Sequence, residues 1–210
     1  MSLKKIAVLV SGGGTNLQAI IDKIHQKYGE IVLVITNNQH AYGLERGRKA
    51  GIEGLFLDHL KFSDQNAYDQ ELVRILKEYE VDLVVLAGYM KIISPFFVKA
   101  YENTIINVHP SLIPSFCGEG FYGIHVHEAV IDYGVKITGA TVHFVNEVAD
   151  GGPIILQKSV NVTDDDTPET IQKKVLLIEH ELLPKAIKYF CENRITISGR
   201  TVKLKEEALN

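Results

Sequence analysis

The chain has 210 residues, 46% of them hydrophobic and 23% charged, with a formal net charge of -4. That is enough chain for a full core and too apolar for disorder, while the acidic balance argues against a nucleic-acid or anionic-membrane surface. No run approaches the ~20 apolar residues of a membrane span, and Cys117 and Cys191 form neither a disulfide framework nor a paired metal motif.

Apolar runs alternate with amphipathic ones. Lys5 to Val10 predicts a first strand, too short for a signal-peptide core, so the cytoplasm is the expected compartment. Thr15 or Asn16 caps a helix carrying Leu17, Ile20, Ile21 and Ile24 on one face. Ile31 to Thr36 is a second strand, Tyr42 to Ala50 a helix stopped by Gly51, and Gly54 to Leu57 a short strand. Ser63 or Asp64 opens a helix with Leu72, Ile75, Leu76 and Tyr79. Val81 to Ala87 is apolar on both faces, as a central parallel strand is. Pro95 begins a short helix, and Thr104 to Val108 is the fifth strand. The rhythm predicts an α/β fold with a doubly wound, Rossmann-like, mostly parallel sheet and helices on both faces.

After Pro110 the character changes. Ser111 to Gly123 reads as a loop, followed by a helix near His125 to Tyr133. Lys136 to Val145 and Ile154 to Val162 alternate as strands of an antiparallel C-terminal part, and Thr167-Pro168 starts the last long helix. Ile195 to Leu204 forms a small terminal hairpin. With no repeat or linker, residues 1–210 read as a single domain.

Three constellations carry chemistry. Ser11-Gly12-Gly13-Gly14-Thr15-Asn16 lies between the first strand and first helix, where it is either a tight turn or a cradle for one phosphate. It matches neither a dinucleotide fingerprint nor a Walker loop, because Leu17 stands where the third glycine would fall and no Gly-Lys-Ser/Thr follows. Asn107, His109 and Asp150 are an amide donor, a base titrating near neutrality and a carboxylate, the three parts of an acyl-transfer site. His109 ends a buried strand, where open α/β sheets bind ligands. Taken singly, each of the three could equally be a loop or turn residue. Glu179 sits beside the apolar stripe of the last helix, either partly buried in a cleft or at a solvated edge. No His, Cys and carboxylate set has metal-ligand spacing, so no metal is expected.

Together these residues resemble the phosphoribosylglycinamide formyltransferase family, folate-dependent enzymes of purine biosynthesis. The resemblance runs through Ser-Gly-Gly-Gly-Thr-Asn-Leu-Gln-Ala-Ile, Leu-Ala-Gly-Tyr-Met-Lys-Ile-Ile-Ser, Ile-Asn-Val-His-Pro-Ser-Leu-Ile-Pro, Thr-Val-His-Phe-Val and Asp-Gly-Gly-Pro-Ile-Ile-Leu-Gln, from Lys5 to about Asn193. It implies formyl transfer from 10-formyltetrahydrofolate, as cosubstrate, to the amine of glycinamide ribonucleotide, by direct attack through a tetrahedral intermediate. By the same resemblance Asn107, His109 and Asp150 match the catalytic trio, and Gly12, Gly13, Gly14, Thr15 and Asn16 the loop for the substrate phosphate. Glu179 matches a contact to the ribonucleotide; Met90, Lys91, Ile92 and Ile93 match the segment meeting the pterin. Val148, Ala149 and Asp150 match the loop that closes over it, and His143 a histidine behind the catalytic centre. The implied partners are small molecules, with no nucleic acid and no membrane, and a homodimer is left open.

Three positions depart from the family pattern. Gln65 stands where many members carry an arginine near the folate tail, Gly13 replaces a residue that is often polar, and Ser115 to Gly123 is longer than in the best-known members, leaving His125 and His127 without an assigned role. The rival readings are a formyltetrahydrofolate hydrolase, a methionyl-tRNA formyltransferase, disfavoured by acidity and by the lack of a tRNA-binding extension, and a non-catalytic nucleotide-binding module. The hydrolase usually carries an N-terminal regulatory domain, for which a first strand beginning at about Lys5 leaves no room.

Overall fold

The computed structural model describes residues 2–205; the ends of the expected 1–210 domain, residue 1 and residues 206–210, lie outside the described residues. Its centre is a nine-stranded sheet in the order β3-β2-β1-β4-β5-β6-β7-β9-β8. The strands are β1 (Lys4–Val10), β2 (Gly29–Thr36), β3 (Glu53–Phe56), β4 (Leu83–Leu86), β5 (Ile105–His109), β6 (Ile137–Phe144), β7 (Ile154–Asn161), β8 (Ile195–Ser198) and β9 (Thr201–Leu204). β1 to β5 are mutually parallel, and β5–β6 and β6–β7 are antiparallel. This is the mostly parallel sheet with an antiparallel C-terminal part that the patterning predicts.

The helices are α1 (Thr15–Lys23), α2 (Tyr42–Lys49), α3 (Gln65–Glu78), α4 (Pro95–Ala100), α5 (Ile124–Tyr133) and α6 (Pro168–Cys191). β1 is apolar on both faces because both are covered. Ile6, Val8 and Val10 enter one core with residues of α1, α5 and α6, while Ala7 and Leu9 enter another with Tyr68, Leu72 and Leu76 of α3 and Phe97 of α4. The single-residue alternation of a strand thus splits one apolar run between two cores.

Two details place the functional elements. β1 lies between β2 and β4, so the chain reverses its winding there, and the loops after β1 and β4 part on either side of a crevice. Ser11 N–H closes the base of that crevice by donating to Gly88 O at 3.1 Å. The second detail is Pro184 inside α6. Proline has no N–H, so the carbonyl of His180, four residues earlier, loses its helical donor. Lys23 Nζ replaces it, donating to His180 O at 2.7 Å, which ties the end of α1 to α6 beside Glu179.

One expected cap is corrected. The N-cap of α1 is Gly14, not Thr15 or Asn16, and it makes no side-chain cap bond. Gly14 has φ 69°, and a Cβ there would come within 2.8 Å of Gly43 Cα, so the turn needs glycine. Asn16 falls inside the helix and is engaged elsewhere. Asp64, Ser94 and Thr167 cap α3, α4 and α6 through their side chains.

Candidate active site

β5 carries Asn107 and His109 two residues apart, hence on one face of the sheet, and antiparallel pairing sets Asn107 opposite His143 of β6. Asp150 arrives on the β6–β7 connection. Two features shape this loop. Gly152 presses against the end of β6, where a Cβ would lie 1.7 Å from Phe144 O, so no other residue fits. Asp150 itself has φ 52°, a left-handed conformation that costs a residue with a side chain about 1–3 kcal/mol unless its surroundings hold it.

The four polar side chains meet. Asn107 Nδ2 lies 3.2 Å from His143 Nε2 and donates to Asp150 Oδ1 at 3.5 Å. Asp150 Oδ2 lies 3.4 Å from His109 Nδ1 and accepts from Gly118 N–H at 2.9 Å. His143 Nδ1 donates to its neighbour's carbonyl, Phe144 O, at 2.8 Å, and its Nε2 faces both Asn107 Nδ2 and, at 3.6 Å, Asp150 Oδ1. The trio expected from the sequence is therefore one cluster, with His143 behind it.

The protonation pattern follows from the same contacts. His109 Nε2 lies 2.8 Å from Phe116 O, which can only accept, so Nε2 carries a hydrogen. The neutral ring then turns the Nδ1 lone pair toward Asp150, and only the imidazolium satisfies both neighbours. Burial opposes that charge: His109 is 4% exposed, and desolvation lowers its pKa, with Asp150 and the Phe116 carbonyl working the other way and His143 adding to the fall. Burial wins, and the site disfavours the imidazolium. For Asp150, burial raises the carboxyl, but His143, His109 and the Gly118 N–H together outweigh it, and the group stays below the usual carboxylate range.

The glycine loop lies at the end of β1. Gly12 and Gly13 are exposed with open space beside them, and the uncapped first turn of α1 leaves backbone N–H groups free of side-chain partners. Arg46 of α2 props the loop from behind, donating to Gly13 O at 2.7 Å. Asn16 Nδ2 donates to Glu179 Oε2 at 2.6 Å, and Asn16 Oδ1 is buried without a partner. Glu179 is buried, and desolvation lifts its carboxyl to about 7, with the Asn16 bond pulling the other way. Of the two sequence readings for Glu179, the buried one holds.

Met90, Lys91, Ile92 and Ile93 line a cavity of about 870 Å³ together with Gln65 and Phe96. Ile92 is 73% exposed, an apolar side chain left for something to cover. Gln65 Nε2 donates to Asp69 Oδ1 at 2.8 Å, and Asp69 Oδ2 accepts from Ser94 N–H at 2.5 Å, so a fully buried carboxylate fixes the end of this segment. Val148 and Ala149, next to Asp150 in the chain, are exposed. His127 is buried and His125 exposed, the latter paired with Glu128 at 2.8 Å.

Sequence reasoning missed several participants. Ser11 links two parts of the site, since its Oγ accepts from Met90 N–H at 2.9 Å and donates to Asn37 Oδ1 at 2.7 Å. Its place at a strand end was the available signal. Asp69 was legible too, because it precedes Leu72, Val73 and Leu76 by three, four and seven residues and so shares their apolar stripe. Phe116 and Gly118 act through backbone groups, which no residue pattern marks. Among the described residues, no group of three or more His, Cys, Asp or Glu could hold a metal ion, and no helix is long and apolar enough to cross a membrane.

Comparison with known proteins bears on this cluster. The family model described as formyl transferase matches residues 4–187. The chain is 42% identical over 192 residues to phosphoribosylglycinamide formyltransferase of Escherichia coli (strain K12), covering 90% of this chain and 88% of that protein. It is 40% identical over 195 residues to the trifunctional purine biosynthetic protein adenosine-3 of Gallus gallus, covering 92% of this chain but only 19% of that much longer protein. Among solved structures, glycinamide ribonucleotide transformylase 1 from Symbiobacterium toebii superposes with a TM-score of 0.92 at 42% identity, over 97% of this chain and 95% of that one.

Proposed function

Since the chain belongs to the formyl transferase family, we propose that it transfers the formyl group of 10-formyltetrahydrofolate to the amine of glycinamide ribonucleotide, a step of purine biosynthesis. The convergence of Asn107, His109 and Asp150 at the carboxyl end of β5 carries this reading. The relatives named phosphoribosylglycinamide formyltransferase support it.

In this proposal the glycine loop, Gly12 to Asn16, holds the substrate phosphate on the N–H groups of α1, and Glu179 receives the ribonucleotide beside it. The cavity along Met90 to Ile93 takes the folate, the flat face of whose pterin suits the exposed Ile92, and the loop Val148 to Asp150 closes over it. Folate supplies a formyl carbon bonded to N10, the nitrogen that departs. Holding amine and formyl carbon in contact removes several kcal/mol of barrier.

When the amine attacks, negative charge gathers on the formyl oxygen. Asn107 Nδ2 gives up its long 3.5 Å bond to Asp150 and donates to that oxygen, a contribution of about 3–4 kcal/mol. His109 Nε2 turns its hydrogen from Phe116 O to the same oxyanion. The new charge offsets the burial that opposes the imidazolium, so His109 takes up a proton from solvent as the oxyanion forms and returns it when the intermediate collapses, with Asp150 stabilising the imidazolium between. The amine's proton then passes by way of Asp150 and water to the departing folate nitrogen. His143, 3.2 Å from Asn107 Nδ2, holds the amide in place.

The proposed unit is a single formyltransferase domain in the cytoplasm, acting on small molecules. Sedimentation equilibrium distinguishes a monomer from a homodimer. The deciding experiment measures tetrahydrofolate release from 10-formyltetrahydrofolate, with and without glycinamide ribonucleotide. Release only with the ribonucleotide, together with its formylation, establishes the transferase. Release without it makes the protein a hydrolase, and no release with binding intact makes it a nucleotide-binding module.

A further inference from the structure

We infer that Arg200, at the tip of the terminal β8–β9 hairpin, is a positioning residue for Asp150. The inference rests on the formyl-transfer reading above and adds to it a residue outside the 4–187 segment that the family model matches.

Local sequence fixes where Arg200 stands. Ser198 pairs with Thr201, so Gly199 and Arg200 form a two-residue turn. Gly199 has φ 59° and Arg200 does not share the positive φ, the pattern of a turn with glycine at its first central position. β9 meets β7 through one parallel pair, Ile154 with Thr201. That pair brings the turn alongside the strand that begins just after Asp150-Gly151-Gly152-Pro153. Ile195, Ile197, Val202 and Leu204 pack against the core and hold the hairpin to the sheet. The tip is thus an anchored platform.

From it Arg200 Nη1 donates to Gly151 O at 2.9 Å, across 49 residues of sequence. The backbone of this loop is otherwise tied locally: Asn146 Nδ2 reaches the same carbonyl at 3.4 Å, Val148 N–H donates to Asn146 Oδ1 at 3.1 Å, and Gly151 N–H donates to Val148 O at 2.8 Å. Its other ties outward run through the Asp150 side chain, which accepts from Gly118 N–H at 2.9 Å and from Asn107 at 3.5 Å. Asp150 is held in a left-handed conformation, so its backbone needs a restraint in addition to the Gly118 bond on its side chain, and its contacts to His109 and Asn107 are long at 3.4 and 3.5 Å. The Gly151 carbonyl lies one residue beyond the Asp150–Gly151 peptide, whose N–H is tied to Val148 O, so holding both limits the tilt of the segment that carries the Asp150 side chain. The charged guanidinium makes this a stronger tether than a neutral donor would.

The test uses the full chain and two variants, Arg200→Ala and Arg200→Lys, with Lys203→Ala as a control on the same hairpin. Misplacing Asp150 by a fraction of an ångström lowers kcat of Arg200→Ala by about tenfold, while KM for both substrates stays near that of the parent protein. Arg200→Lys recovers part of the loss, and Lys203→Ala changes nothing. Hydrogen exchange on the protein without substrates gives an independent readout: amides 149–152 exchange faster in Arg200→Ala, and the core strands do not. Unchanged exchange in that segment overturns the inference, as does an unchanged kcat in an active parent. If the parent shows no formyl transfer, the functional reading fails, and the exchange rates still decide whether Arg200 holds the loop.

Discussion

Replacing Asp150 by asparagine keeps the shape of the side chain and removes its charge. In the parent site Asp150 Oδ2 faces His109 Nδ1 at 3.4 Å, a separation at which unit charges interact by about 5 kcal/mol at an effective dielectric of about 20. The pair is 5% and 14% exposed, so screening trims the figure, and about 3–5 kcal/mol of imidazolium stabilisation is at stake. An asparagine amide can instead donate to Nδ1, favouring the neutral ring that cannot neutralise an oxyanion. If the charge matters in the transition state and not in the bound substrates, kcat falls by about two to three and a half orders of magnitude while KM changes little. The sign of the pH effect follows. Burial already lowers the His109 pKa and Asp150 opposes that fall, so the substitution lowers it further and moves residual activity toward acid. The assay is tetrahydrofolate release at saturating substrates from pH 5.5 to 9, with hydrogen exchange as a check on the loop. A kcat within fivefold of the parent, or a profile moved toward alkali, refutes the charge-partner reasoning.

Two buried groups make opposite predictions for stability. His127 is pulled down to about 4 by burial and by His109, whereas an unfolded histidine binds its proton near 6.5. The unfolded chain therefore binds the extra proton as pH falls through this window, and the folded state loses about 3 kcal/mol between them. Thermal melting from pH 7.5 to 4.5 shows a shallower decline for His127→Gln; equal slopes count against it. Glu179 is lifted to about 7 by burial, so the folded state binds the extra proton, and its stability falls as pH rises from about 4.5 through 7. Glu179→Gln removes that loss: it raises the melting temperature at pH 8 but not at pH 4.5, and raises KM for the ribonucleotide by about tenfold for one lost charged contact. A variant no more stable at pH 8 than its parent shows that the carboxylate is not strained.

What the sequence determined by itself is whatever neighbours in the chain decide. β4 was legible because four consecutive buried apolar residues suit only a strand covered on both faces. The antiparallel pair β6 and β7 was legible in two alternating runs, Lys136 to Val145 and Ile154 to Val162, with no helix between them. Asn107 and His109 were legible as a pair because two-residue spacing on a strand forces a common face. Tertiary structure decided what depends on register between distant segments. Asn16 looked like a helix cap, yet its amide belongs to Glu179, 163 residues away, and the cap passed to Gly14. His109 draws on Phe116 O and Asp150 on Gly118 N–H, backbone groups that every residue possesses and no pattern distinguishes. The carbonyl freed by Pro184 could be foreseen from α6 alone, but not that Lys23 would fill it. Hydrophobic periodicity is a local property, set by which face each residue must turn inward. Partners for polar groups are chosen only once the sheet order has brought β5, β6, α6 and the terminal hairpin side by side.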